Sequence, residues 1–356
     1  MGLPEEAEEL TNGSGAFSEG SEERAHHSKE EEKMKRKAWK GIALAAALMM
    51  CFGVPPSASA LELKQVSIAG AGTAGTFYIM AAGIADLFGK QLGVNSVAEV
   101  TAGSVENVKL LDSKRVELGV MQVDVMQNAL AGKAQFKAPV DMVAIAPLYP
   151  NVIQIVTLKD SPINTFADLK GKRISVGSPG SGILATNQII LETMGMTLND
   201  IQPQYLSFAE TTNAFRDGSI DAAIVNTAAP APWVVDLETS HAVKLIELSK
   251  EEIEKFTGKF GHFVSAEIPK EAYRSLEKDV PTFAVWITLS GRGDLPEQDV
   301  YDMTKTIFEH ADFLKGIHAV GSYITLENVS KIASLPFHPG AVKFYAEKGI
   351  DVSPKK

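Results

Sequence analysis

The chain has a single cysteine, Cys51, set in an apolar run directly after Met49 and Met50. Beyond residue 60 there is none, which excludes disulfides, thiol nucleophiles and thiolate metal sites from that part of the chain together. The seven histidines show no H-x3-H spacing and stand beside no carboxylate cluster, so no metal ligands are expected. A nucleophile elbow, a Walker loop and paired catalytic carboxylates are also missing, so no catalytic residue is assigned and an enzyme is not expected. Nor is there a long apolar span: residues 42–54 (IALAAALMMCFGV) fall short of the roughly 20 residues a membrane helix needs.

What is present at the N-terminus reads as an export signal. A basic patch, KMKRKAWK at 33–40, precedes that apolar run, and Ala58-Ser59-Ala60 follows as a small-residue cleavage site, the three parts of a secretory signal peptide over residues 34–60. The Glu-, Ser- and Gly-rich residues 1–33 read either as non-native sequence ahead of an initiator at Met34 or as a disordered acidic extension. Large residues before Cys51 argue against a lipoprotein signal. Residues 1–60 hold 10 acidic and 7 basic side chains, leaving 34 acidic and 27 basic beyond them. Such an acidic surface is a poor match for nucleic acid. A periplasmic, monomeric protein without a cofactor is expected.

The stretch IAGAGTAGTFYI (68–79) places Gly70, Gly72 and Gly75 in a G-x-G-x-x-G pattern. That loop seats a dinucleotide pyrophosphate on a helix N-terminus. An apolar strand precedes it, a helical pattern follows, and Glu99 stands near the position of a ribose-binding acid. The same physics also cradles other anions, since a helix N-terminus offers unpaired N–H groups and partial positive charge. Both an NAD-dependent enzyme and an anion receptor therefore remain open on this loop alone.

The rest of the chain repeats the first part. Strand KQVSIA, loop GAGTAGT and the helix from Phe77 return about 105 residues later as RISVG, SPGSG and the helix from Ile183. Second strands follow (NSVAEV, PQYLSF), then polar turns (TAGSVEN, AETTN), then a helix and a short apolar strand in VKLLDSKRVELGVMQVD and AFRDGSIDAAIVNTA. This alignment pairs Glu117 with Asp221 and Gln122 with Asn226. Strands alternating with helices predict parallel sheets that bind ligands at their carboxyl edges. Two such edges across a hinge predict two α/β lobes with a central cleft. Lobe 1 is expected over 61–149 with about 265–356, and lobe 2 over about 150–264. Residues 140–158 lead out, HFVSAEIP and TFAVWITLSG lead back, and the amphipathic segments from Glu297 pack on lobe 1.

With that organisation in place, GTAGTFY (72–78), AGSVENVKLL (102–111), VMQVDV (120–125), LYP (148–150), DLKGKRISVGSPGSG (168–182), YLSFAE (205–210), DGSIDAAIV (217–225) and LPFHPGAVKFY (335–345) together resemble the TAXI family of solute receptors of TRAP transporters. The resemblance spans nearly all of the chain beyond residue 60. It implies a type II periplasmic-binding-protein fold and a small carboxylate ligand, glutamate or a dicarboxylate. It also implies delivery to TRAP-type membrane permease subunits; a ligand-presenting role in a sensory system is the neighbouring alternative. The run NTAAPAP at 226–232 departs from the family pattern.

For a carboxylate cradle, Gly72, Gly75, Gly180 and Gly182 let a ligand approach the backbone, and Ala74 belongs to the same ligand-binding set. Thr73, Thr76, Ser178 and Ser181 add hydroxyls or cap helices. Phe77, Tyr78 and Tyr149 join the ligand-binding set, as do Ser104 and Asn107 at the start of a third helix. Gln122 and Asn226 end apolar strands at the cleft edge. Asp124 either accepts an amino group or braces a neighbour. Phe263 is expected to wall the cleft, Trp233 to pack in the core, and His338 to cap or pack.

Overall fold

The computed structural model describes residues 61–352. Its strands are β1 (Gln65–Ala69), β2 (Asn95–Glu99), β3 (Leu118–Gln122), β4 (Val143–Leu158), β5 (Arg173–Ser175), β6 (Gln202–Gln204), β7 (Ala222–Thr227), β8 (Val243–Leu245), β9 (Phe263–Ile268) and β10 (Val280–Gly291). The helices are α1 (Thr76–Leu92), α2 (Ser104–Asp112), α3 (Val123–Leu130), α4 (Gly182–Thr193), α5 (Phe208–Arg216), α6 (Pro232–Leu237), α7 (Lys250–Lys259), α8 (Glu297–Glu309), α9 (Ala311–Ile317) and α10 (Pro339–Glu347). None of the described helices is long and apolar enough to cross a membrane.

The strands run in the order β2-β1-β3-β10-β4-β7-β5-β6, which is one pattern used twice. In each half the first strand lies parallel between the second and third, and a long antiparallel strand closes the group: β10 on β3 and β4 on β7. The two long strands pair with each other from Ala284↔Val152 to Gly291↔Val143, so both halves hang on one two-stranded hinge. Pro147 and Pro150 lie inside β4 where only β10 pairs with it; β7 joins from Val152 onward. A proline that donates nothing is tolerated at such an unpaired edge.

The duplication reaches individual side chains. Glu117 Oε2 accepts from the Ser67 N–H at 2.9 Å and Asp221 Oδ2 from the Arg173 N–H at 2.8 Å. Each carboxylate also meets an arginine, Arg292 at 3.2 Å and Arg173 at 2.6 Å. The aligned acids thus lock their first and third strands together on the sheet end remote from the cleft. Asn107, fully buried, donates to the carbonyls of Ala69, Gly70 and Val120; Asn187 does the same to Val176 and Ile224.

One apolar cluster runs from β1, α1 and the C-terminal helices to β5 and α4, and a second fills the far side of the second half around Val156, Phe215, Trp233 and Tyr273. The Tyr273 hydroxyl donates to Gln154 Oε1 and accepts from the Ala231 N–H, and Glu238 accepts from the N–H groups of Arg274 and Ser275. Residues 268–280 therefore pack with the second half, and the return to the first falls inside β10 rather than near 265. The C-terminal helices pack on the first half as expected: the Tyr345 hydroxyl donates to the Ile145 carbonyl at 2.7 Å, and Phe344 stacks on Phe308. His338 both caps and packs. Its Nδ1 accepts from the Gly340 N–H at the head of α10, and its buried ring meets the Leu295 carbonyl at 3.1 Å. The export signal read at 34–60, the extension at 1–33 and Cys51 lie outside the described residues.

Candidate functional site

Because β1, β2 and β3 are parallel, helices α1, α2 and α3 all begin at one sheet edge; β5, β6 and β7 do the same for α4 and α5. The two edges face each other and touch. The Glu106 N–H donates to the Gly180 carbonyl at 3.1 Å, Gln122 Nε2 donates to Asn226 Oδ1 at 2.7 Å, and Thr186 Oγ1 donates to Asp124 Oδ2 at 2.9 Å. Gln122 and Asn226, the pair that the internal repeat aligns, thus meet across the cleft. The lobes enclose a cavity of about 280 Å³.

Of the residues expected there, Gly72, Gly75, Thr76, Phe77, Ser104, Gln122, Ser178, Ser181, Gly182 and Asn226 line the cavity. The others do not, each for a visible reason. Thr73 is exposed, and Ala74 and Tyr78 are partly exposed on the turn and first helical turn beside it. The amide of Asn107 is fully engaged, its Oδ1 accepting from Thr101 and its Nδ2 serving the three carbonyls. Gly180 sits with φ +86°, a conformation that favours glycine, and gives its carbonyl to α2. Tyr149 is buried in β4 off the cavity wall, and Phe263 belongs to an aromatic cluster with Phe256 and Phe283. Trp233 packs in the core as expected, stacked on Phe208 and Phe215.

The cavity also takes residues that the linear pattern did not mark, among them Thr101, Asn151, Ser175, Phe208 and Thr211. Ser207 was legible: with Glu210 it forms a capping box at the head of α5. Asn151 carried no signal beyond following LYP, because its place depends on the bend and pairing of β4.

Chemically the cavity is neutral and donor-rich. Among the described residues no Lys, Arg, His, Asp or Glu lines it. Helix α1 starts at Gly75 with no side-chain cap, so the first N–H groups of a 17-residue helix have no side-chain acceptor. Helix α2 also lacks a side-chain cap; Glu106 accepts from the N–H of Ala102 in the loop before it at 2.7 Å and gives its own N–H to the Gly180 carbonyl. In α4 the Ser181 hydroxyl accepts from the Leu184 N–H. Three buried side-chain atoms on the lining lack partners: Thr76 Oγ1, Asn226 Nδ2 and Asn151 Oδ1. An unpaired buried polar atom costs on the order of 1–3 kcal/mol.

Asp124 braces the lobe contact through Thr186 but keeps Oδ1 without a partner. Burial pushes its carboxyl up and pushes the neighbouring His262 down, with the attraction between them opposing both shifts. No group of three or more His, Cys, Asp or Glu side chains among the described residues is placed to hold a metal.

Two duplicated α/β lobes closing through a pair of shared strands on a small cavity define the type II periplasmic-binding-protein fold. The model of the NMT1-like family matches residues 68–349, and the chain belongs to that family. A putative aliphatic sulfonates-binding protein of Escherichia coli (strain K12) is 37% identical over 82 residues, 22% of this chain and 25% of the relative. The match thus spans only about a quarter of that relative's length. Among solved structures, the alkanesulfonate-binding protein SsuA from Xanthomonas axonopodis pv. citri bound to MOPS is 17% identical, with 80% of this chain and 84% of that one covered and a TM-score of 0.45. The arginine-, lysine-, histidine-binding protein ArtJ from Geobacillus stearothermophilus is 15% identical, with 71% and 93% covered and a TM-score of 0.46. At these scores neither likeness says anything about the ligand of this chain.

Proposed function

We propose that this chain is an extracytoplasmic solute receptor that captures a small organic anion between its lobes and hands it to membrane permease subunits. The observation that carries the reading is the cleft itself, where an uncapped helix N-terminus and unpartnered Thr76 and Asn226 donors lie in a cavity shared by two hinged lobes. Such donors satisfy an anion without burying a cation. The similarity to a putative aliphatic sulfonates-binding protein is compatible with an anionic solute. The resemblance to TAXI receptors supports a carboxylate ligand and a TRAP-type permease, and the signal-like residues 34–60 support a periplasmic location.

The dinucleotide reading of the Gly70–Gly75 loop fares worse. At about 280 Å³ the cavity lies at the lower limit of small-molecule sites, which run from about 300 to 1,000 Å³. A Cβ placed on Gly75 would stand 3.0 Å from the Phe208 ring, so the second lobe already covers the loop. Small-angle scattering and calorimetry with candidate acids test the receptor reading together. Ligand binding stabilises the closed state through contacts made by both lobes, so saturating ligand should reduce the radius of gyration. An unchanged radius, with lobes equally compact in the free protein, would sink the closure mechanism.

A further inference from the structure

Resting on the receptor reading, we infer that Asp124 and His262 hold one proton between them where the lobes meet, so that closing the cleft takes up a proton at neutral pH and solute affinity rises on mild acidification. Three parts of the chain converge there. Asp124 lies in the first turn of α3 in lobe 1, and Thr186 on α4 in lobe 2 donates to its Oδ2 at 2.9 Å. His262 immediately precedes β9, which pairs with the hinge strand β10. Neither Asp124 nor Thr186 lines the cavity, and Asp124 is 2% exposed. Asp124 Oδ1 and His262 Nε2 are both buried with no hydrogen-bond partner among the described residues.

The elements packed on α3 are β3, β10, α2 and α4. Strands β3 and β10 carry no ionisable side chain, and α4 has only Glu192, exposed near its far end. Helix α2 has Glu106, held by the Ala102 N–H, with Lys109 and Asp112 exposed; beside His262, Lys259 and Glu267 are exposed. His262 is thus the charge that acts most on Asp124, and Asp124 acts back on it. Burial raises the carboxyl and lowers the imidazole; their mutual attraction opposes both shifts, and at the carboxyl so do Thr186 and the N–H groups at the head of α3. A lone carboxylate is costly at such a site, whereas a pair holding one proton is neutral overall and titrates as a unit. With the lobes apart, both groups regain water and their ordinary values of 3.8 and 6.5. Above the second value the open pair holds no proton and the closed pair one, so affinity should fall by up to about tenfold per pH unit as pH rises. Between the two values the open form already carries a proton on His262, and the exchange vanishes.

The test is calorimetric titration of the full chain with 2-oxoglutarate, whose carboxylates stay ionised over this range, in buffers of differing ionisation enthalpy. Binding should take up close to one proton at about pH 7.5 and close to none at about pH 5.5. Asp124→Asn keeps an oxygen for Thr186 and should abolish the uptake. His262→Asn leaves the carboxyl to hold the proton alone and should extend the uptake down to about pH 5.5, a change that a merely structural side chain would not cause. Melting curves show that each variant is folded. No uptake by the parent, or equal uptake by Asp124→Asn, would overturn the inference and leave the receptor reading standing. Should 2-oxoglutarate not bind, the carboxylate reading fails, and small-angle scattering of the free chain decides the pair. A radius larger at about pH 8.5 than at about pH 6.5 in the parent, but not in Asp124→Asn, supports it; equal radii in the parent overturn it.

Discussion

The two lobes share a strand order, a locking carboxylate and a buried asparagine, yet they begin their helices differently. In lobe 1, α1, α2 and α3 follow Gly75, Gly103 and Gln122 with no side-chain cap; in lobe 2, α4, α5 and α7 are capped by Ser181, Ser207 and Ser249, and only the short α6 follows Ala231 without one. A cap spends the N–H groups that an anion would use. Lobe 1 therefore keeps the head of α1 without a side-chain acceptor, and lobe 2 brings apolar side chains together with the Asn226 amide and the hydroxyls of Ser175, Ser178, Ser181, Ser207 and Thr211. The duplicated architecture thus differs between its copies in how the helix heads at the cavity are capped.

The sharpest way to break this division is to prevent the copies from meeting. A Cβ on Gly182 would collide with the Gln122 amide and lie 2.8 Å from Ser104 Oγ. Gly182→Val should therefore reduce ligand affinity by about 100-fold or more, a cost of roughly 3 kcal/mol, while each lobe stays folded. Calorimetry beside a thermal melt checks this, and affinity within a few-fold of the parent would contradict it.

The buried asparagines sharpen the comparison as one of stability. Asn107→Leu strips three carbonyls of their donor and Asn187→Leu strips two, so each should cost about 2–4 kcal/mol, with Asn107 the larger. Urea unfolding would measure both, and the reverse ranking would argue that the two amides are not equivalent devices. Smaller again is the contrast at the helix heads. Thr76→Val should lose about 1 kcal/mol of ligand binding with little change in melting temperature. Ser181→Ala should do the opposite, lowering stability by about 1 kcal/mol through its lost cap.

The smallest effect separates the strand locks by pH. Hydrogen bonding from Arg173 holds the Asp221 carboxyl below its ordinary value of 3.8. A lowered folded-state value stabilises above pH 3.8 and loses that contribution as pH falls through the lowered value. Because the carboxylate is 30% exposed, Asp221→Asn should cost under about 1 kcal/mol at pH 7 and progressively less below pH 4. Melting curves across that range check the sign, and a penalty that grows on acidification would contradict it.

Much of this was legible in one dimension. The periodicity and glycine spacing around Gly70–Gly75 and Gly177–Gly182 marked two strand–loop–helix units, and their ordered repetition implied two parallel groups of strands, because local pattern and chain order alone govern those features; that antiparallel β4 and β10 join the groups into one sheet was not legible. The alignment of Glu117 with Asp221 and of Gln122 with Asn226 was also present in the sequence. What each pair does was not. One pair locks strands remote from the cleft and the other bonds lobe to lobe, and only the relative placement of the lobes distinguishes them. Tertiary structure likewise decided that Asn107 serves buried carbonyls while Asn151 and Phe208 reach the cavity. Whether a polar side chain is spent or free depends on which partners lie within about 3 Å of it, and those partners come from segments distant in the chain.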